Sequence, residues 1–308
     1  MKKMRNVILA VFTATIIWSL APVIALYISP DARYPKNEEI AKRLKANNGD
    51  FFSFIVFGDT HAGLVFNDTS MLKMIGRINR DDRFRKRPFD FAIALGDVTF
   101  RGSAWDYRIY DRSRSRIKYP VLSAVGNHDD DAGGALFEKD VGEKEYSFAD
   151  RNSFFIVLDN SINDVSDAQF GWLEAELKTS APYAHRFIIL HKPPFSPYMQ
   201  SWYRPGLSAW PRRFMKLCEE NKVDIVFSGH EHMFKEKVFN GVRYLVSGGG
   251  GMLSYIPTPD GGYLHYLVVR VTGPYVDYEV RRYFPPLWAY MAYYFWKDLF
   301  FGLRDVLT

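Results

Sequence analysis

The sequence predicts an α/β domain, and three observations carry the prediction. Short apolar runs of strand length alternate with amphipathic stretches of helical length from residue 51 to residue 227. Motifs rich in Asp, Asn and His fall just past the ends of five of those runs, where α/β folds place their ligand crevices. After them the helical pattern stops and paired strands with tight-turn signals take over.

The elements follow in order. Residues 51–58 form an apolar run typical of a buried strand. A helix fits Thr69 to Arg80, and the next strand is Phe89 to Leu95. A helix near Trp105 to Arg116 and a strand from Pro120 to Val125 complete βαβ-like alternation. Tyr146 to Phe148 and Ser153 to Leu158 read as further strands. Ser166 and Gln169 have capping-box spacing, so a helix starts there and runs to about Lys178. Phe187 to Leu190 and Asp224 to Phe227 are short strands separated by a helix near Ala209 to Asn221. Phe234 to Phe239 and Val242 to Val246 flank Asn240-Gly241, a hairpin signal. Tyr263 to Val271 and Tyr275 to Arg282 add two strands joined at Gly273-Pro274. No internal repeat or low-complexity segment is present.

Composition sets outer bounds. The chain has 308 residues, 47% hydrophobic and 24% charged, which is globular rather than disordered. Nothing in its middle reads as a linker, so one large domain is expected, over residues 51–283. Net charge is +5, from Lys2, Lys3 and Arg5 and the basic stretch Arg80 to Arg87 among others. Such an excess suits anionic lipid or a phosphorylated ligand, and equally an ordinary solvated surface. No basic surface interleaved with aromatics suggests nucleic acid as a partner. The single cysteine, Cys218, falls in an amphipathic helix and reads as a core residue; one cysteine forms no internal disulfide.

Both ends read as membrane elements. Lys2, Lys3 and Arg5 precede Val7 to Ile28, a run of 22 residues without a charged side chain. That is long enough to cross a bilayer as a helix, and no A-x-A site closes it. A signal anchor or transmembrane helix over 1–30 is therefore expected in preference to a cleaved signal peptide, which would give a secreted or periplasmic protein. A helix buried in the protein is the plainer alternative. Positive charge ahead of the span favours an inside N-terminus, with the folded domain outside the cytoplasm. At the other end, residues 284–308 are an aromatic amphipathic segment. Trp288, Ala292, Phe295, Trp296, Leu299 and Leu303 share one side of a helical wheel, as in a helix lying in the membrane interface. Docking on the domain is the alternative.

The chemistry lies in the motifs after the strands: Asp59-Thr60-His61, Gly96-Asp97, Gly126-Asn127-His128-Asp129, His191, and Gly229-His230-Glu231-His232. Five of the chain's seven histidines fall in them. Carboxylate, amide oxygen and imidazole in these numbers suit two adjacent metal ions. Taken singly, each residue is as well explained by a capped loop or a buried histidine; the set is not.

In order and spacing these motifs resemble the calcineurin-like metallophosphoesterase superfamily: D-x-H, G-D, G-N-H-D/E, a lone His and G-H-x-H. The resemblance covers residues 51 to 272, supported by Gln169 with Trp172-Leu173, by His191-Lys192-Pro193-Pro194 and by Ser247-Gly248-Gly249-Gly250. It implies a two-sheet sandwich flanked by helices and a hydrolase acting on a phosphoester substrate. It also implies that Asp59, His61 and His232 hold one metal, that Asn127, His191 and His230 hold the other, and that Asp97 bridges them. The bridge is physically reasonable, because two neighbouring cations repel and an anion between them offsets that. The ions expected are manganese, iron or zinc. Two such ions lower the pKa of a shared water and clamp phosphoryl oxygens for in-line displacement.

His128, implied to be no ligand, is placed to protonate the leaving oxygen, and Asp129 to orient it. Arg101 matches an arginine that binds phosphate in phosphoprotein phosphatases of the superfamily, although Thr99 and Phe100 replace the usual Val and Asp around it. Its alternative is a surface arginine capping the next helix. Phe100 also departs from the purple acid phosphatases, whose tyrosine at this place binds ferric iron. His185 and His265 match no motif and are expected to be structural. The aromatic loop from Pro194 to Gly206 is a candidate substrate rim. The expected function is hydrolysis of a phosphate ester beside a membrane, with membrane lipid as a partner. Alternatives are a phosphodiesterase for nucleotides or a lipid-linked pyrophosphate, or a non-catalytic scaffold on the same fold. Filled ligand positions speak against the scaffold.

Overall fold

The computed structural model describes residues 13, 14, 17, 20–31, 33–44, 48–83, 87–130, 134–162, 164–195 and 210–291. A first sheet holds β1 (Phe51–Phe57), β2 (Phe91–Ala94), β3 (Val121–Ser123), β10 (His265–Thr272) and β11 (Tyr275–Arg282) in the order β11-β10-β1-β2-β3. Its β1, β2 and β3 run parallel, and β10 and β11 add antiparallel strands. A second sheet holds β4 (Tyr146–Asp150), β5 (Ser153–Val157), β6 (His185–Ile189), β7 (Ile225–Ser228), β8 (Phe234–Phe239) and β9 (Val242–Ser247) in the order β4-β5-β6-β7-β9-β8. Five helices of eight or more residues have full described bounds: α1 (Asn37–Leu44), α2 (Val65–Arg83), α3 (Ala104–Arg114), α5 (Asp167–Thr179) and α6 (Trp210–Glu220). A short α4 (Ala135–Asp140) lies between α3 and β4.

The side-chain alternation of each strand explains why the sequence reads as unbroken apolar runs rather than as alternating ones. Phe52, Phe54 and Val56 of β1 enter the layer between the sheets, with Phe91, Phe155, Phe187 and Phe227. Ile55 and Phe57 of the same strand point the other way, against Met71, Met74 and Ile78 of α2 and Ile109 and Tyr110 of α3. The outer face of the second sheet is covered by Phe170, Leu173 and Leu177 of α5 and by Phe214 and Cys218 of α6. Strands buried on both faces have no polar face to alternate. Seven phenylalanines sit at the middle of the inter-sheet layer among Ile, Leu and Val. Phe54 lies 5.1 Å from Phe91 in a stacked pair and meets Phe155 and Phe187 edge-on at 5.4 and 5.8 Å. Such pairs add about 0.5–1.5 kcal/mol each beyond the area they bury.

Local signals hold where they were strong. Ser166 and Gln169 form the expected capping box at α5. The β8–β9 hairpin turns at Asn240 and Gly241, both left-handed (φ 48° and 85°), as a type I′ turn requires. Helix α2 starts at Val65 rather than Thr69. Its first turn holds Val, Asn, Asp and Thr, poor helix formers, but Asp68 accepts the Gly63 N–H at 3.0 Å and fixes the entry. Two helices, α1 and α4, were not foreseen. In α1 the buried Asn37 side chain donates to Ser123 O (2.9 Å) and Glu143 O (3.1 Å) and accepts the Ser123 N–H, tying down the end of β3.

Most of the first 19 residues, on which the membrane-span expectation rests, lie outside the described residues. Among the described residues no helix is long and apolar enough to cross a membrane. Residues 20–28 are helical and pack on the domain through Val23 and Leu26. Residues 287–291 are helical too, with Trp288 against Phe66 at 5.5 Å. The remainder of the aromatic C-terminal segment, 292–308, and residues 196–209 of the candidate rim loop lie outside the described residues.

Candidate metal centre

The motif residues converge from both sheets. Asp59 and His61 follow β1, Asp97 follows β2, and Asn127 and His128 follow β3, all in the first sheet. His191 follows β6, and His230 and His232 follow β7, in the second. Four of these residues have left-handed backbones: Asp59 (φ 60°), His61 (φ 46°), Asp97 (φ 47°) and His230 (φ 68°). A non-glycine residue there carries strain, which clusters where loops are bent to aim a side chain.

The donor atoms fall into two groups that share one oxygen. His61 Nε2 lies 3.3 Å from His232 Nε2 and 3.7 Å from Asp97 Oδ2, and His232 Nε2 lies 3.6 Å from Asp59 Oδ1. On the other side, His191 Nε2 lies 3.3 Å from the same Asp97 Oδ2, 3.1 Å from Asn127 Oδ1 and 3.3 Å from His230 Nδ1. His230 Nδ1 and Asn127 Oδ1 are 3.0 Å apart. Donors about 2.1 Å from one ion at tetrahedral or octahedral angles stand about 3.0–3.4 Å from each other. Five of the seven spacings fall in that range and the 3.6 and 3.7 Å distances lie just outside it, as for donors turned toward two common centres.

Two further observations test the fit. The Nδ1 atoms of His61 and His232 are buried and have no hydrogen-bond partner among the described residues, so each ring is held by its packing with Nε2 aimed at the other donors. Burial, before any other cause, pushes proton affinity well below the usual histidine range for His61, to about 4 for His232 and to about 3 for His230. All three rings are thus neutral near pH 7 and offer lone pairs. His191 is the exception. Burial opposes its charge, but Asp97 outweighs that and holds it up to about 9. Burial likewise opposes the charge on Asp97, and the attraction of His191 outweighs it, keeping the carboxylate ionised. Burial and the repulsion of Asp97 push Asp59 well above the usual carboxylate range. Two acids and four imidazoles in one buried space strain against each other without cations and complement them when present.

Neighbours fix the ligands. Leu95 O accepts the Nδ1–H of His191 at 2.9 Å, so in the neutral ring that a cation requires Nε2 carries the lone pair. The Asn160 side chain accepts the N–H groups of His191 and Lys192 at 2.9 and 3.0 Å and donates to Lys192 O. Asn67 donates to His61 O, and Asp59 accepts the His230 N–H. None of these roles was read from the sequence. Asn160 was the one with a usable signal, a side-chain amide just past a strand at the motif-bearing edge.

His128 is half-buried beside the donor cluster. Its backbone N–H donates to Asp97 Oδ1 at 2.9 Å, and a ring nitrogen lies within 4.8 Å of donor atoms of His61 and Asp97. The expectation that Asp129 orients His128 is corrected. Phe100 O takes the His128 Nδ1–H at 2.9 Å. The buried Asp129 carboxylate instead accepts from Val98 N, Thr99 N, Thr99 Oγ1 and Gly126 N, which rivets the Asp97 loop to the Asn127 loop. Arg101 is exposed on the rim, its guanidinium 5.1 Å from the Phe100 ring centre, and that ring stacks on His128 at 6.2 Å. It does not cap α3; Ser103 and Asp106 do so with a capping box. His185 bonds to Asp224 and Gly273 O, and buried His265 to Ser247 and Tyr263 O, so both are structural.

Residues 52–234, more than half of the chain, match the calcineurin-like phosphoesterase family, and the chain belongs to that family. Among curated relatives it is 27% identical over 236 residues to the Fe(3+)-Zn(2+) purple acid phosphatase 12 of Arabidopsis thaliana, covering 62% of this chain and 48% of that one. It is 26% identical over 164 residues to the glycerophosphodiester phosphodiesterase GpdQ of Enterobacter lignolyticus (strain SCF1), covering 48% of this chain and 57% of that one. The chain thus spans about half the length of the curated relatives it matches. Two solved structures share its fold. Purple acid phosphatase PPD1 of yellow lupin (Lupinus luteus) has a TM-score of 0.60 at 17% identity over 76% of this chain and 52% of that one. GAP50, the anchor in the inner membrane complex of Plasmodium, has 0.58 at 15% over 75% and 84%.

Phe100 gives one expected result at once. A phenyl ring has no oxygen to place on iron, so the iron-loaded protein should show no visible tyrosinate-to-iron absorption. A spectrum of the loaded protein checks this, and a violet band would contradict it.

Proposed function

We propose that this chain is a binuclear metal-dependent phosphoesterase, anchored in a membrane with its catalytic domain outside the cytoplasm. The observation that carries the binuclear reading is the Asp97 Oδ2 atom, shared by two buried donor groups. In this reading Asp59, His61 and His232 hold one ion, Asn127, His191 and His230 hold the other, and Asp97 bridges them. Bound manganese, iron or zinc would supply an acidified water and positive charge opposite the phosphoryl oxygens. The protein's own groups do the rest. Phe100 O holds Nδ1–H of His128, so Nε2 is the nitrogen that, in the doubly protonated ring, would give a proton to the leaving oxygen. Arg101, steadied on the Phe100 ring, reaches for a phosphate oxygen from the rim. Asp129 keeps the two loops in register. Similarity to a glycerophosphodiester phosphodiesterase favours a diester as the second reading.

Metal content of the purified protein, paired with hydrolysis of a chromogenic phosphomonoester and its matching diester, tests the proposal. About two ions per chain with metal-dependent turnover is the expected result, and the faster ester identifies the subclass. No bound metal and no turnover with any of the three ions would overturn it in favour of a scaffold. A reporter fused after Thr308 tests topology: activity confined to the cytoplasm would overturn the outward orientation.

A further inference from the structure

The final part of the uncharged run Val7 to Ile28 is docked on the domain at the edge where the metal donors converge. Tyr27 meets Trp105, in the first turn of α3, edge-on at 5.4 Å, and its hydroxyl donates to Asp68 in the first turn of α2 at 2.6 Å. Arg112, near the end of α3, donates to Leu26 O at 3.3 Å, Tyr27 O at 2.6 Å and Asp31 at 2.9 Å. Ser29 lies beside Arg116, just past α3. The segment therefore runs alongside α3 in the same direction, and residues before Tyr27 lie toward its N-terminus. Helices α2 and α3 begin where the loops of His61 and Asp97 end, so that side is the site's own edge.

Length decides where the bilayer must be. As a helix, the 22 residues from Val7 to Ile28 extend about 33 Å, close to the ~30 Å hydrocarbon thickness. Residues 7–19 alone would reach only about 20 Å. If the run spans, the docked residues 20–28 share the apolar layer, and the first turns of α2 and α3 lie at its surface. The outward face of the docked segment agrees. Ile24 and Ile28 are 56% and 78% exposed with no charged residue beside them in the run, and Val65 and Trp105 are 38% and 39% exposed on the adjoining helices. Leu287 and Met291, 69% and 53% exposed, flank Trp288, which packs on Phe66 of α2. Exposed apolar side chains gathered at one edge call for an apolar neighbour. Arg101 and Arg108, stacked on Phe100 and Trp105, add cations suited to anionic headgroups.

We propose that the mouth of the metal centre faces the lipid bilayer, and that the substrate is an amphiphilic phosphoester whose phosphate is presented at the membrane surface while its hydrocarbon chain stays in the lipid. The proposal rests on the phosphoesterase and membrane-anchor readings. In the reaction a water oxygen bonds to phosphorus and the ester P–O bond breaks. The leaving alkoxide takes one proton to become the lipid alcohol, and the other proton of water goes to the phosphate product or to solvent.

Two measurements on the full chain, metal-loaded in zwitterionic vesicles, test the two parts. The first compares a long-chain alkyl phosphate in the vesicles with a soluble short-chain alkyl phosphate of the same headgroup, and repeats the comparison with their monomethyl diesters. Hydrolysis at least about tenfold faster, per accessible phosphate, for the vesicle-borne member is expected; equal rates would overturn the substrate class. The second does not depend on turnover. A fluorophore is placed on Val65→Cys or, as control, on Tyr275→Cys at the opposite end of the first sheet, level with the start of β1, both in a Cys218→Ala background. Quenching by a lipid-borne quencher at position 65 and not at 275 is expected, and an unquenched label at 65 would overturn the orientation. No turnover of either chain length would mark failure of the phosphoesterase reading itself and remove the substrate class with it.

Discussion

Asp97→Asn is expected to lower phosphoester turnover by about a thousandfold or more while the fold survives. A bridging charge between two cations accounts for several kcal/mol of transition-state stabilisation, at about 1.4 kcal/mol per decade of rate. The amide matches the carboxylate in size, and its oxygen can still accept the His128 N–H that Asp97 Oδ1 accepts at 2.9 Å. What disappears is the charge at the oxygen shared by His61 and His191. Metal stoichiometry, kcat/KM and a thermal melt on the same preparation check the result. Full activity with two bound ions would refute the bridge. Loss of the melting transition would show that Asp97 is needed for folding instead.

Gly126→Ala is expected to cost both metal and stability. A Cβ at Gly126 would stand 2.1 Å from Asp97 N and 2.2 Å from Asp97 Oδ1, distances that no rotamer change relieves, because one of the atoms is backbone. The loop carrying Asn127 and His128 must move away from the loop carrying Asp97, and the bonds from Asp129 that join them are stretched. Overpacking of this kind costs about 1–3 kcal/mol and at times more. A melting point lowered by several degrees, with fewer than two ions retained, is the expected outcome. Gly76→Ala is the control. A Cβ at Gly76, in the middle of α2, would meet nothing within 4 Å, and alanine is the better helix former there. It should melt at the same temperature or higher with metal unchanged. If Gly126→Ala behaved like this control, the close contact between the two loops would be wrong.

The donors were legible because each is a polar residue at the end of an apolar strand, and strand ends are set by the hydrophobic pattern alone. Their partition between two sheets was not legible that way, because pairing order is a tertiary property. The neighbours that hold the donors were hidden for a different reason. Asn37, Asn67 and Asn160 act across 86, 6 and 31 residues of sequence, and no local pattern distinguishes a bridging asparagine from a turn asparagine. Helix α1 was missed because Asn37–Leu44 is mostly polar; only Ile40, Ala41 and Leu44 mark its buried face besides Asn37. The adjacency of Asp129 to His128 in sequence suggested a partnership that the chain does not make. Asp129 accepts the N–H of Gly126 from its own loop and those of Val98 and Thr99 from the next, and its carboxylate is fully occupied by them.

The phenylalanines between the sheets have a consequence beyond stability. Since one sheet supplies Asp59, His61, Asp97 and Asn127 and the other supplies His191, His230 and His232, the thickness of that aromatic layer works as a shim that sets the gap across which the two sets of ligands must meet. Rings such as Phe54, Phe155 and Phe187 touch no ligand, yet each helps determine the bite of the centre. A bound pair of ions would in turn brace the sandwich from its rim, so affinity for metal and resistance of the interior to loosening become one mechanical property measured at two places.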